Sequence, residues 1–128
     1  MKKQMVFSVV YGVIGIGIIG LWIMLIGTNQ VPEFETEPVG IVFHIIIEIT
    51  MALFALVTAW LLYKSASLRF PILLLTNGLL MYSVVNSAGY YGDAQNYSMI
   101  ALFAIILAFV IYTSIDTINI MKNPTNTK

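Results

Sequence analysis

The sequence predicts an all-α integral membrane protein: an antiparallel four-helix bundle with both termini on the cytoplasmic side. Three observations carry that prediction. Of 128 residues, 59% are hydrophobic and only 9% charged, whereas a soluble domain charges roughly a quarter of its residues. The apolar residues fall into four runs. No charge interrupts residues 4 to 32, only Glu48, one turn from His44, interrupts 38 to 63, and none interrupts 70 to 92 or 94 to 115. Each run reaches the ~20 residues a helix needs to cross a hydrocarbon core of roughly 30 Å. Finally, all six basic residues (Lys2, Lys3, Lys64, Arg69, Lys122 and Lys128) fall on one side of such a bundle, which the positive-inside rule assigns to the cytoplasm. Glu33, Glu35 and Glu37 in the first loop and Asp93 in the third mark the other side.

The spans are expected near 5–27, 39–63, 70–91 and 97–118, joined by connections short enough to make sequence neighbours run up and down beside one another in one domain, 1–128. Local punctuation agrees: Pro38 and Pro71 sit where a helix begins and an amide needs no partner, and Asn96 suits an N-cap.

The first span follows a basic start, yet its apolar run exceeds a signal-peptide core of 7–15 residues and no small-residue cleavage site follows "IGTNQ", so it reads as a retained helix. Within it, "YGVIGIGIIG" places Gly12, Gly15, Gly17 and Gly20, with Gly27 one heptad further. Small residues let helix backbones approach closely in lipid; the face serves internal packing or a homo-oligomer interface.

The second span carries the chain's one histidine. "FHIIIEIT" sets His44 and Glu48 four residues apart, on one helical face. If this helix enters from outside near Val39, His44 lies about 8 Å deep and Glu48 about 14 Å deep, near the midplane. The third helix runs the other way, putting Asn86 about 7 Å and Tyr82 about 13 Å below the same surface. The depths match in pairs, His44 with Asn86 and Glu48 with Tyr82. A carboxyl at the membrane centre costs at least about 2.5 kcal/mol on insertion scales, so Glu48 is expected to face the bundle interior. Desolvation favours the neutral form of a carboxyl and a charged imidazole its ionised form, so the two residues are expected to titrate as one unit.

The bland reading of the pair is a hydrogen-bonded register pin. Three functional readings stand beside it: a proton relay or transport site, a metal site, and an acid–base enzyme acting on a lipid-like substrate through Glu48 or His44 with Tyr82 and Asn86. A metal wants three or four ligands, and a second histidine would have to come from a dimer; no metal or other cofactor is expected. The stretch "NSAGYYGDAQNY" adds Tyr90, Tyr91 and Tyr97, read as an interfacial aromatic belt or as the roof of an outward-opening pocket, with Gly89 and Gly92 loosening the helix end. Asp116 and Asn119, near the inner face, read as solvated.

Composition also excludes functions. The net charge of zero hides an asymmetry, but scattered basic residues form no nucleic-acid patch. Without cysteine there is no disulfide, thiol nucleophile or thiolate metal site, and no phosphate-binding glycine loop, G-x-S-x-G or H-E-x-x-H motif occurs.

An acidic outer loop, then "FHIIIE", then "GLLMYSVVNSAGYY" resembles a set of small prokaryotic four-span membrane proteins of unassigned function, over roughly residues 38 to 110. The resemblance implies the fold and directs attention to His44, Glu48, Asn86, Gly89 and Tyr90; it implies no activity. The polar and phenylalanine motifs of four-span fluoride channels are not visible, and the first-helix glutamate of small multidrug exporters has no counterpart. The expected function is a polar intramembrane pocket for ligand binding or proton-linked transport. A structural or accessory subunit is the alternative and a membrane enzyme the third. The expected partners are the lipid bilayer, a small-molecule or lipid-like ligand and a second copy of the chain.

Overall fold

The computed structural model describes residues 2–123, so Lys128, counted above with the basic residues, lies outside the described part. All regular structure among the described residues is helical: α1 (Lys2–Gly27), α2 (Glu33–Thr36), α3 (Pro38–Tyr63), α4 (Arg69–Asp93) and α5 (Tyr97–Lys122). The four long helices are apolar and long enough to cross a membrane; 26 residues extend ~39 Å. They overrun the expected spans chiefly at the basic ends, where α1 begins at Lys2 and α5 ends at Lys122. Sequence reading stops a span where apolar residues stop, but backbone hydrogen bonding continues through lysines, which are good helix formers.

The sequence reading treats the acidic segment as loop; it contains the single turn α2. Pro32, at φ −62°, precedes it, and Glu33 and Glu35 fill its first turn, where negative charge meets the positive end of the helix dipole. Glu37 then donates its amide to the carbonyl of Glu33 at 2.8 Å and is followed by Pro38 at the start of α3, as a residue lacking an N–H suits that position.

Three connections share one closure. Asn29, Ser65 and Gln95 adopt φ of 52°, 51° and 55° after α1, α3 and α4. In each case two amides turn back onto the last carbonyls: Asn29 to Ile26 and Gln30 to Leu25, Ser65 to Leu62 and Ala66 to Leu61, Gln95 to Gly92 and Asn96 to Tyr91. This paired arrangement satisfies carbonyls that a helix end would otherwise leave bare. Gly89 and Gly92, expected to loosen the end of α4, stay within it, because the hydrogen-bonding register places the left-handed residue at Gln95. Asn96 then caps α5, its side chain accepting the Met99 amide at 3.3 Å.

The chain divides between Arg69 and Phe70 into two compact units, α1–α3 and α4–α5. In the first, partner positions fall along α3 as they rise along α1: the Ser8 hydroxyl donates to the Ala59 carbonyl at 2.6 Å, Gly15 lies against Ala52 and Leu56, and Trp22 meets His44. Gly15 is the tightest point, since a Cβ there would stand 2.8 Å from Leu56 Cγ and 2.9 Å from the Ala52 carbonyl oxygen. Gly17, Gly20 and Gly27 have nothing within 4 Å of where a Cβ would be. The glycine face thus acts in internal packing at Gly15, while its outer members stand open. In the second unit a Cβ at Gly92 would meet Ile100 Cδ1 at 3.9 Å, Tyr91 stacks at a tilt on Phe103 with centroids 5.7 Å apart, and Leu73 and Val110 are fully buried.

Candidate functional site

The buried residues of α3 are Glu48, Met51, Ala52, Ala55, Thr58, Leu61 and Leu62, a stripe at the three-and-four spacing of one helical face. Glu48 opens that stripe, only 9% exposed. It lies about 15 Å along the axis from Pro38 and about 22 Å from Tyr63. A carboxyl so placed faces inward, on the same face as Ala52, between the level where Ala52 meets Gly15 and the level where His44 meets Trp22.

His44, one turn before Glu48, is half-buried. Its ring meets that of Trp22 edge-to-face, with centroids 5.8 Å apart and planes at 72°, a geometry that sets the positive edge of one aromatic ring against the negative face of another. Trp22 is itself buried. Sequence reasoning missed this partner, although a signal existed. Trp22 lies five residues before the end of α1 and His44 six after the start of α3, depths of about 8 and 9 Å. The depth-matching applied to α3 and α4, applied to α1 and α3, puts the two residues at one level, though not their rings toward each other.

The remaining expected site residues lie in the other unit. Tyr82, Asn86 and Tyr90 are all exposed and, four residues apart, share one stripe of α4. The buried face of α4 is Leu73, Thr76, Asn77, Leu80, Ser83 and Val84. Tyr90 packs edge-on against Tyr91, with centroids 5.4 Å apart.

The buried face of α4 holds a polar node that the sequence reading passed over. Asn77, 1% exposed, donates through Nδ2 to the Val110 carbonyl at 3.2 Å, to Thr113 Oγ1 at 3.0 Å and to Ser114 Oγ at 2.8 Å. Two amide hydrogens serve three acceptors, so one of the bonds is shared. Thr113 and Ser114 in turn donate to the Val110 carbonyl at 3.1 and 2.8 Å. The signal was "TN" inside the apolar run of α4, paired with "TS" in α5. Both were overlooked because neither carries charge. Asp116 differs from its expected solvation: it is half-buried and its Oδ2 is shielded from water, whereas Asn119 is exposed.

A groove of ≈490 Å³ opens elsewhere, at the end of the first unit where α1 begins and α3 finishes, lined among others by Lys2, Leu62 and Ser65. It is far from Glu48, since Ser65 lies 17 residues further along the chain. Among the described residues, no three His, Asp or Glu side chains gather closely enough to hold a metal ion.

Compared with known proteins, residues 1–128 match the family described as a domain of unknown function, DUF8058. No curated protein and no solved structure matches the chain.

Proposed function

This chain belongs to the DUF8058 family, and we propose that it is a small integral protein of the cell membrane. In this reading its four long helices form an antiparallel transmembrane bundle with both termini cytoplasmic, and His44 and Glu48 form a polar intramembrane pocket for ligand binding or proton-linked transport. The observation that carries the site is Glu48: a carboxyl buried near the middle of a 26-residue apolar helix. Ionisable groups in such positions are costly to maintain and mark ion, proton or ligand pathways. The basic residues at the start of α1 and end of α3, and the acidic turn α2 at their opposite ends, support the orientation.

Cysteine accessibility tests the topology: Thr36→Cys should label from outside intact cells and Ser67→Cys should be protected, and reversed labelling overturns the orientation. The site is tested in proteoliposomes containing a pH-sensitive dye under an imposed membrane potential. Wild-type protein should acidify or alkalinise the lumen, and Glu48→Gln, which keeps a hydrogen-bonding amide without a titratable proton, should fold normally and abolish the flux.

A second reading, a structural or accessory subunit, is favoured by the exposed stripe of Tyr82, Asn86 and Tyr90, a face that a partner protein or second copy would cover. Under that reading Glu48→Gln leaves function intact and Asn86→Leu removes it.

A further inference from the structure

Glu48 sits between two contacts of α1 with α3 that differ in kind. On the side toward Tyr63, Gly15 meets Ala52 and Leu56 so closely that a Cβ on Gly15 would stand 2.8 Å from Leu56 Cγ and 2.9 Å from the Ala52 carbonyl oxygen. On the side toward Pro38, the Trp22 and His44 rings meet edge-to-face with centroids 5.8 Å apart. The first contact is made at the level of the backbone and opens only if the helices part. The second is made by two side chains and opens when one of them changes rotamer, a far faster motion than the displacement of a helix.

The approaches to Glu48 differ in polarity as well. Toward Tyr63 the buried stripe of α3 continues through Met51, Ala52 and Ala55, none more than 2% exposed. Its next polar member on that side is Thr58, about 15 Å away along the axis. Residues 16–21 of α1, between the two contacts, are isoleucine, glycine and leucine and bring no hydrogen-bonding side chain. Toward Pro38 the next residue on the same face is His44, whose imidazole offers a donor and an acceptor when neutral. Among the described residues of this unit, water therefore finds a polar step to Glu48 on one side, and that step is His44. Trp22, only 9% exposed, packs on it.

We propose that Trp22 gates Glu48: with its indole against His44 the approach is closed, and rotation of the ring away from the imidazole admits water to His44 and through it to the carboxyl. The contact at Gly15 stays shut meanwhile, so the site opens toward the α2 end. This regulation deepens the pocket reading above and rests on it. Trp22 acts through His44 and is a positioning residue.

The test uses the full chain in detergent micelles. The sequence contains no cysteine, so Glu48→Cys provides a single thiol, whose reaction rate with a cationic methanethiosulfonate is followed by mass spectrometry. Adding Trp22→Ala should raise that rate about five-fold, the population change expected from losing one aromatic pair, whereas Trp22→Phe, which keeps a ring, should leave it nearly unchanged. Thr58→Cys, at a fully buried position beyond the Gly15 contact, should react no faster when Trp22 is changed; acceleration at both positions reports a loosened bundle and overturns the gate. So does a Glu48→Cys rate that responds to Leu56→Ala instead of Trp22→Ala, since access then runs past Gly15. In Trp60→Phe, whose remaining indole is Trp22, His44→Ala should shift the fluorescence emission; an unchanged spectrum means that the two rings do not meet and also overturns the gate. The proteoliposome flux assay reports separately on the site. Flux that Glu48→Gln abolishes, with thiol reactivity indifferent to Trp22, sinks the gate alone. Reactivity that responds to Trp22 without any flux sustains the gate and sinks proton transport.

Discussion

Between α1 and α3 the closest point is an absent side chain, Gly15; between α4 and α5 the buried centre is a polar side chain, Asn77. The first unit brings backbones together until a Cβ would collide with a neighbouring carbonyl. The second keeps its helices in register through an amide that reaches three acceptors. Under the membrane reading proposed above, both devices suit surroundings as apolar as the side chains themselves. There, burial alone provides little drive for one helix to prefer another over lipid, so close packing and interhelical hydrogen bonds decide which faces meet. The difference is one of tolerance. A close backbone approach fails abruptly when volume is added, whereas a shared hydrogen-bond node loses its partners one at a time.

The largest effect expected from this comparison is at Gly15. Gly15→Ala adds a methyl group where the Ala52 carbonyl cannot withdraw without moving α3, and should cost about 1–3 kcal/mol by overpacking. The same substitution at Gly17, where a Cβ would meet nothing within 4 Å, should instead stabilise by about 0.5–1 kcal/mol through helix propensity. Reversible unfolding in mixed micelles, followed by circular dichroism, measures both; equal effects at the two glycines would mean that the close approach contributes nothing.

Asn77→Ala comes next, with an expected loss of about 1–2 kcal/mol, near the upper end for interhelical hydrogen bonds in membrane proteins. Combining it with Ser114→Ala sharpens the point: the pair should be less than additive, because the second substitution removes an acceptor already deprived of its donor. Strict additivity would show that Asn77 and Ser114 do not share a bond.

The smallest effect belongs to the helix closures. A non-glycine residue in the left-handed region costs about 1–2 kcal/mol, and glycine returns part of that through its greater freedom in the unfolded chain. Gln95→Gly and Ser65→Gly should therefore each stabilise by about 0.5 kcal/mol. A loss in either would show that the native side chain contributes more than its backbone strain costs.

The legible and illegible parts of this molecule separate along one line. Helix existence, the limits at Gly27, Tyr63 and Tyr97, the proline that opens α3 and the Asn96 cap depend on residues close in sequence, and all could be read there. The inward face of Glu48 was legible for a related reason, since a carboxyl in an apolar run has little choice of direction. What could not be read was rotation. Whether Trp22 turns toward His44, or Asn77 toward Thr113 and Ser114, depends on how two helices are turned about their axes, and neither charge nor run length encodes that angle. The turn α2 escaped for a simpler reason: a short segment with two glutamates and a threonine around Phe34 looks like loop until Pro32 fixes the backbone that starts it. Tyr82 and Asn86, expected on one face of α4, lie on an exposed stripe of that helix, while its buried polar positions, Thr76 and Asn77, went unremarked because they are neutral.

The connection after α4 has a practical meaning for anyone cutting or extending this chain. Only three residues separate Asp93 from Tyr97, and each of their amides is already engaged: Ala94 with Tyr90, Gln95 with Gly92 and Asn96 with Tyr91. Tolerance of an inserted tag or a circular permutation depends on whether the affected backbone is committed, and here there is no slack to lengthen. An epitope placed between α4 and α5 would undo the end of one helix and the start of the next together.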